Sequence, residues 1–309
     1  MKPLAAVLAL IALLIAAAPA AAEERLASEG RPFVADAFGD VVAWSAYDAQ
    51  ARVYRLRVLH GGAITTPAVD ASPADLQVDV GPGPDGAPLV VYSRRGDIFQ
   101  YDPATGLEQP LAEVNTPGTE LHPSLHRSAL GFVRRVSGKP VLYLRRGGDT
   151  KRQPRPRFKR TLAIEDVELS GRGLFVVYRT DIPQGSCCSS ATLYRVQGKQ
   201  LRHVFVVNSG GANFGQLVTP SVSGRSVYFA RTNQGSGTGN RFFRYELRTK
   251  RLFAARGTSR ARSVTWLGDR FLLSRETFPG GGVEAGELVL TDPIRFTRAP
   301  RTDVRRTRP

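Results

Sequence analysis

Apolar residues in this chain fall in short runs, not at helical spacing, and the runs repeat. Five of them close with an arginine: Leu89–Arg94, Leu130–Arg134, Phe175–Arg179, Val227–Arg231 and Phe271–Arg275. The closing arginines are 40, 45, 52 and 44 residues apart, and a sixth copy, Val41–Ser45, lies one period upstream and ends in serine. Each run is followed by a loop and a second β-rich segment: Val53–Val58, Asp97–Asp102, Val141–Arg145, Thr192–Val196, Phe242–Leu247 and Glu287–Thr291. Most of these partners alternate apolar and polar positions, the period of a strand with one wetter face. A shorter candidate strand precedes each run, as at His122–Leu125 and Thr219–Ser226, and outer strands are predicted at Leu201–Val207 and Leu252–Ala255. Beyond residue 22 no stretch carries a helical period, and 31 Gly and 21 Pro supply many turns. Hairpins recurring at roughly 40 to 50 residues predict an all-β fold, a single six-bladed β-propeller of about four strands per blade. It would occupy residues 23–300, with Glu24–Glu29 or Ile294–Arg298 as the strand that closes the ring.

One blade carries a family signature. Pro84-Asp85-Gly86, Leu89 to Arg94, Arg95-Gly96, Asp97 to Asp102 and Gly106 resemble the WD-like repeat of the TolB propeller family, in which an Asp-Gly turn precedes an apolar strand and a basic loop. Ser170-Gly171 and Ser223-Gly224 keep the glycine of that turn, and Leu267-Gly268-Asp269 keeps less. The resemblance implies a six-bladed propeller acting in protein interaction in the cell envelope. It does not extend to TolB's separate N-terminal α/β domain, since only Glu23 to Arg31 precede the first blade.

The ends and breaks of the chain have their own composition. Met1-Lys2-Pro3, the apolar run Leu4 to Ala18 and the small residues to Ala22 read as a signal peptide over 1–22, too short to span a bilayer. That reading places the product in the periplasm, at the cell envelope or outside the cell, with no transmembrane segment in the mature chain and a monomer as the expected state. Residues 147–160, rich in Lys, Arg and Pro, read as a basic linker between blades three and four, and 301–309 as a disordered basic tail.

Charge widens the choice of ligand: 43 Lys and Arg against 27 Asp and Glu give a net charge of +16. Such an excess favours anionic partners, and export argues for a protein or an anionic envelope polymer over nucleic acid. The candidate ligand residues are the recurring Arg94, Arg134, Arg179, Arg231 and Arg275, which a propeller would set at equivalent positions on one rim. The competing reading is that each packs between blades and pairs with a nearby acid. Long loops at 180–191, 232–240 and 276–286 place the expected binding face on blades four to six. Cys187 and Cys188 sit in the first of them, where a vicinal disulfide is the sharper reading and two free thiols or an intermolecular bridge are the alternatives.

Catalytic patterns are weak. His122 and His126 lack a ligand set at metal-binding spacing, so no metal or other cofactor is expected and a surface or turn role is assigned to both. Glu165, Asp166 and Glu168 form the densest acidic group and read as counter-charge to the basic linker. The expectation is a non-enzymatic binding module. The alternative is a propeller hydrolase or lyase whose acids converge from different blades in a central channel.

Overall fold

A computed structural model describes residues 23–156, 163–181, 189–208, 214–234, 241–255, 261–277 and 285–299. The N-terminal strand is β1 (Glu24–Glu29). Blade one is β2 (Ala35–Phe38), β3 (Val41–Asp48), β4 (Val53–His60) and β5 (Ala63–Thr65), hydrogen-bonded in that order. Blade two is β6 (Val78–Pro82), β7 (Pro88–Arg94), β8 (Asp97–Asp102) and β9 (Leu107–Pro110). Blade three is β10 (Thr119–His126), β11 (Ala129–Val136), β12 (Lys139–Arg146) and β13 (Asp149–Arg152). Blade four is β14 (Ala163–Ser170), β15 (Gly173–Asp181), β16 (Ser189–Gln197) and β17 (Gln200–Asn208). Blade five is β18 (Phe214–Ser223), β19 (Ser226–Gln234), β20 (Arg241–Glu246) and β21 (Arg251–Ala255). Blade six is β22 (Ala261–Trp266), β23 (Phe271–Thr277) and β24 (Ala285–Thr291), and its fourth strand is β1. The chain is an all-β, six-bladed propeller, and among the described residues no helix is long and apolar enough to cross a membrane.

Closure is by the N-terminal strand. β1 pairs antiparallel with β24, Glu24 opposite Leu290 and Glu29 opposite Gly286. Trp44 Nε1 of blade one donates to Glu29 Oε1 at 2.9 Å, tying the closing strand to the blade that follows it in the ring. The other candidate for closure does something different. β25 (Phe296–Arg298) pairs with β21 and adds a fifth strand to blade five, where Phe296 packs against Tyr228, Phe242 and Phe271.

The linker expected at 147–160 is corrected in part: Asp149–Arg152 is the outer strand of blade three, with Tyr143 opposite Arg152. Its Lys and Arg side chains misled the reading because an edge strand needs only one apolar partner face, and charge there blunts edge-to-edge pairing. Residues 1–22, 157–162 and 300–309, with the leader and the tail, lie outside the described residues.

The apolar core is divided into six wedges, one at each junction between blades. Blades four and five meet through Phe175, Val177 and Leu193 against Phe229, Phe243 and Leu252. Blades three and four meet through Val133 and Leu142 against Leu174, Val176 and Tyr178. Phe175 and Val177 therefore face one neighbour while Val176 and Tyr178 face the other, the alternation of side chains across a strand. Every second strand is buried on both faces in this way, so these strands read as unbroken apolar runs where the third strands alternate.

Close approach between blades leaves no room for a side chain at Gly81 in β6. A Cβ built there would lie 2.0 Å from the carbonyl oxygen of Leu125 in blade three. Backbone cannot yield as a side chain does, so Gly81→Ala is expected to lower stability by about 3 kcal/mol. Gly30→Ala, where a Cβ meets nothing within 4 Å, is the control and should lie within about 0.5 kcal/mol of the parent in urea unfolding.

Candidate functional site

The innermost strands of all six blades enclose a polar cavity of about 290 Å³ on the propeller axis. Six acids from three blades line it: Asp36, Asp75, Asp79, Glu165, Asp166 and Glu168. The acidic trio of β14 is thus not a counter-charge to the linker. Strand alternation turns Asp166 and Glu168 inward, and they meet Asp36 and Asp79 because equivalent positions of a propeller converge on its axis.

Most of these groups hold the ring together. Asp36 Oδ2 accepts the backbone N–H of Val80 in the next blade at 2.9 Å, while Oδ1 accepts the Thr265 hydroxyl of blade six at 2.9 Å. Asp79 Oδ2 accepts Leu125 N–H at 2.8 Å, and Ser124 Oγ accepts Leu169 N–H at 2.7 Å. Glu168 Oε1 accepts Val222 N–H at 3.1 Å, and Ser263 Oγ accepts Ala35 N–H at 3.1 Å. Innermost strands of neighbouring blades do not pair as a sheet, so each would leave N–H groups without an acceptor; these side chains supply one.

Burial dominates the electrostatics. Asp166 is pushed up to about 8, chiefly by desolvation and then by Asp36 and Glu165. Asp79 and Glu168 are raised well above the carboxylate range by burial first and by the other channel acids second. Asp36 is raised by burial against the pull of its hydrogen bonds, and Asp75, bonded to Ser45 and Leu76 N–H, moves the same way.

His122 is corrected from a surface role to a channel wall. It occupies a bulge in β10 with φ 48°, and burial, followed by the charge of Arg135, depresses its imidazole to about 4. Gln77 holds it at both ends: Oε1 accepts His122 N–H at 2.9 Å and Nε2 lies 3.3 Å from His122 Nε2. Proline at 123 masks the position in sequence, since it breaks the strand pattern that would have aimed the ring.

Four of the five recurring arginines are ion-paired. Arg94 makes a two-pronged pair with Glu108, Nη2 to Oε2 at 3.0 Å, and its guanidinium lies 4.0 Å from the centroid of the Phe99 ring. Arg134 Nε donates to Glu120 at 2.7 Å and Nη2 to Val114 O at 2.7 Å. Arg179 sits 3.3 Å from Glu165, and Arg275 bridges Glu23 at 2.7 Å and Glu287 at 3.2 Å. Each of these four guanidiniums is neutralised by an acid on another strand of its own blade, Arg275 also by Glu23 just before the closing strand. Arg231 pairs through its backbone with Leu217 and Arg241, and its side chain lies outside the described part. Cys187, Cys188 and most of the three long loops also fall outside the described residues.

No family model matches the sequence, and no curated protein matches it. Solved structures do. TolB from Acinetobacter baumannii aligns with a TM-score of 0.51 at 16% identity, over 83% of this chain and 66% of that one. Puromycin hydrolase aligns at 0.54 and 14% identity over 81% of this chain and 50% of that one. U3-55K aligns at 0.54 and 10% identity, over 86% of this chain and 98% of that one. The chain spans less than two thirds of TolB and half of puromycin hydrolase. These likenesses show the fold, a β-propeller similar to that of TolB, and identities this low carry no chemistry.

Two outcomes follow from the buried charges. Arg134→Ala leaves Glu120, whose side chain is 0% exposed, without its cation, and should cost about 3 to 5 kcal/mol in urea unfolding. Asp166 binds a proton more tightly when folded, so its contribution is fully present below the unfolded carboxylate range and disappears as pH rises through about 8. Between pH about 7 and 8, above the midpoint at which His122 titrates in the unfolded chain, stability should fall with rising pH. Asp166→Asn should reduce that fall by about 1 kcal/mol, measured as the shift in urea midpoint at the two pH values.

Proposed function

We propose that this chain is an exported, non-enzymatic binding module that recognises a protein or an anionic envelope polymer through the long loops of blades four to six. The observation that supports this reading over a hydrolase is how the channel carboxylates are used. General acid or base catalysis needs a carboxyl group within hydrogen-bond reach of substrate, whereas Asp36, Asp79 and Glu168 each hold the backbone of the next blade. Export rests on the apolar leader at 1–22 and on the cationic excess, which suits ligands of the envelope. The long loops are clustered in sequence on consecutive blades, and rigid scaffolds commonly carry recognition on such loops.

A second reading keeps one observation in its favour. Asp166, raised to about 8 in a cavity next to Glu165, has the proton affinity of a general acid near neutral pH. A panel of ester, lactone and glycan substrates separates the two. Under the binding reading the purified protein turns over none of them, and replacing 182–188 by a short Gly-Ser turn abolishes salt-sensitive retention of its envelope ligand while leaving the melting temperature within about 2 °C. Turnover that disappears in Asp166→Asn would establish the hydrolase instead.

A further inference from the structure

On the rim opposite the long loops, an open depression of about 360 Å³ between blades four and five is lined by Arg172, Arg195, Arg225, Leu247 and Arg248. Antiparallel order places it there: the turns that join β14 to β15, β18 to β19 and β20 to β21 all lie at one end of their blades, and three of the arginines sit on those turns. We propose that this depression is an anion site that binds a phosphate group, free or carried by a polymer or a lipid headgroup. The site lies apart from the loops assigned above and stands whether or not that assignment holds.

Three observations carry it. First, the four guanidiniums keep their charge: among the described residues none is ion-paired with a carboxylate, in contrast to Arg94, Arg134, Arg179 and Arg275. Second, two of them are positioned by backbone carbonyls, which orient a guanidinium without neutralising it. Arg172 Nε donates to Gly224 O across the blade junction at 2.7 Å, and Arg195 Nη2 donates to Arg172 O. The third turn is fixed to the second by Leu247 N–H donating to Arg225 O at 2.9 Å. Third, like charge accumulates at the site, with no acid among the described residues that line it to offset the repulsion. Arg195 stands opposite Arg202 across the β16–β17 pair, and its Nε is buried without a hydrogen-bond partner. The four lining guanidiniums repel one another as well, and an oxyanion held between them reverses the sign of that interaction. Arginine's planar fork matches phosphate geometry, and four such groups suit a multiply charged oxyanion better than a lone carboxylate.

Inorganic tripolyphosphate is the probe, with binding to the full-length protein read by calorimetry. It should bind with an affinity that falls as salt is raised, and R225Q/R248Q should weaken it by about tenfold or more. These two side chains are exposed and hold no carbonyl, so the variant is expected to fold. Lys139→Gln with Arg152→Gln removes the same net charge from exposed positions of blade three and should change binding less than about twofold. Phosphatidylglycerol vesicles and soluble polyphosphate, run side by side, distinguish a headgroup from a polymer; loss of either in R225Q/R248Q supports the site. Absence of tripolyphosphate binding, or an equal loss in the blade-three control, overturns it. Hydrolytic turnover would overturn the binding-module reading and leave this site standing.

Discussion

The ring depends on one kind of contact: a short polar side chain on the innermost strand of one blade accepting a backbone N–H from the innermost strand of the next. Asp36, Asp79, Ser124, Glu168 and Ser263 do this at five of the six junctions among the described residues. Apolar wedges between blades supply more free energy, but they are tolerant of sliding, because hydrophobic attraction is non-directional. Hydrogen bonds from a fixed strand position are not. They set how far each blade is advanced along its neighbour, and hence whether the last blade arrives where β1 can close it.

This arrangement explains why a polar interior is retained at a cost. A carboxylate buried among other carboxylates is disfavoured both by lost hydration and by repulsion, and Asp79 and Glu168 show both effects. Serine performs the same bond at Ser124 and Ser263 without charge. The acids reach further: Asp36 contacts blades six and two at once, which a serine cannot. Protonation then relieves the repulsion while leaving an acceptor oxygen in place, so the channel holds its geometry in the form that neutral pH already favours for Asp166.

The fold was legible because its strongest signal is local. Leu89–Arg94 and its five counterparts are buried on both faces, so their apolar runs stand out, and their spacing alone implies the blade count. Outer strands are legible only where they keep apolar residues, as at Leu252–Ala255; β13, with Asp149, Lys151 and Arg152, has none and its sequence resembles a linker. The channel was legible least. Asp36, Asp79 and Glu168 lie more than 40 residues apart in separate copies, and nothing local distinguishes an axial acid from a surface one, whether it stands alone like Asp79 or in a cluster like Glu168. The arginines misled for the opposite reason. Their repetition was conspicuous, but their acidic partners, Glu120 for Arg134 and Glu108 for Arg94, lie on other strands and become visible only once the strands are paired.

Together these placements separate charge by sign. Six of the 27 acids face the channel, where no lysine or arginine among the described residues lines the wall, so the cationic excess over the rest of the molecule is larger than the net charge alone. The surplus of 43 cationic against 27 acidic residues therefore exists mainly outside, and the depression of Arg172, Arg195, Arg225 and Arg248 is a place where it is concentrated. A basic composition that merely followed from codon usage would scatter arginine over the surface and leave it paired or solvated. Three turns from two adjacent blades instead deliver unneutralised guanidiniums to one depression, fixed by carbonyl oxygens that cannot cancel them.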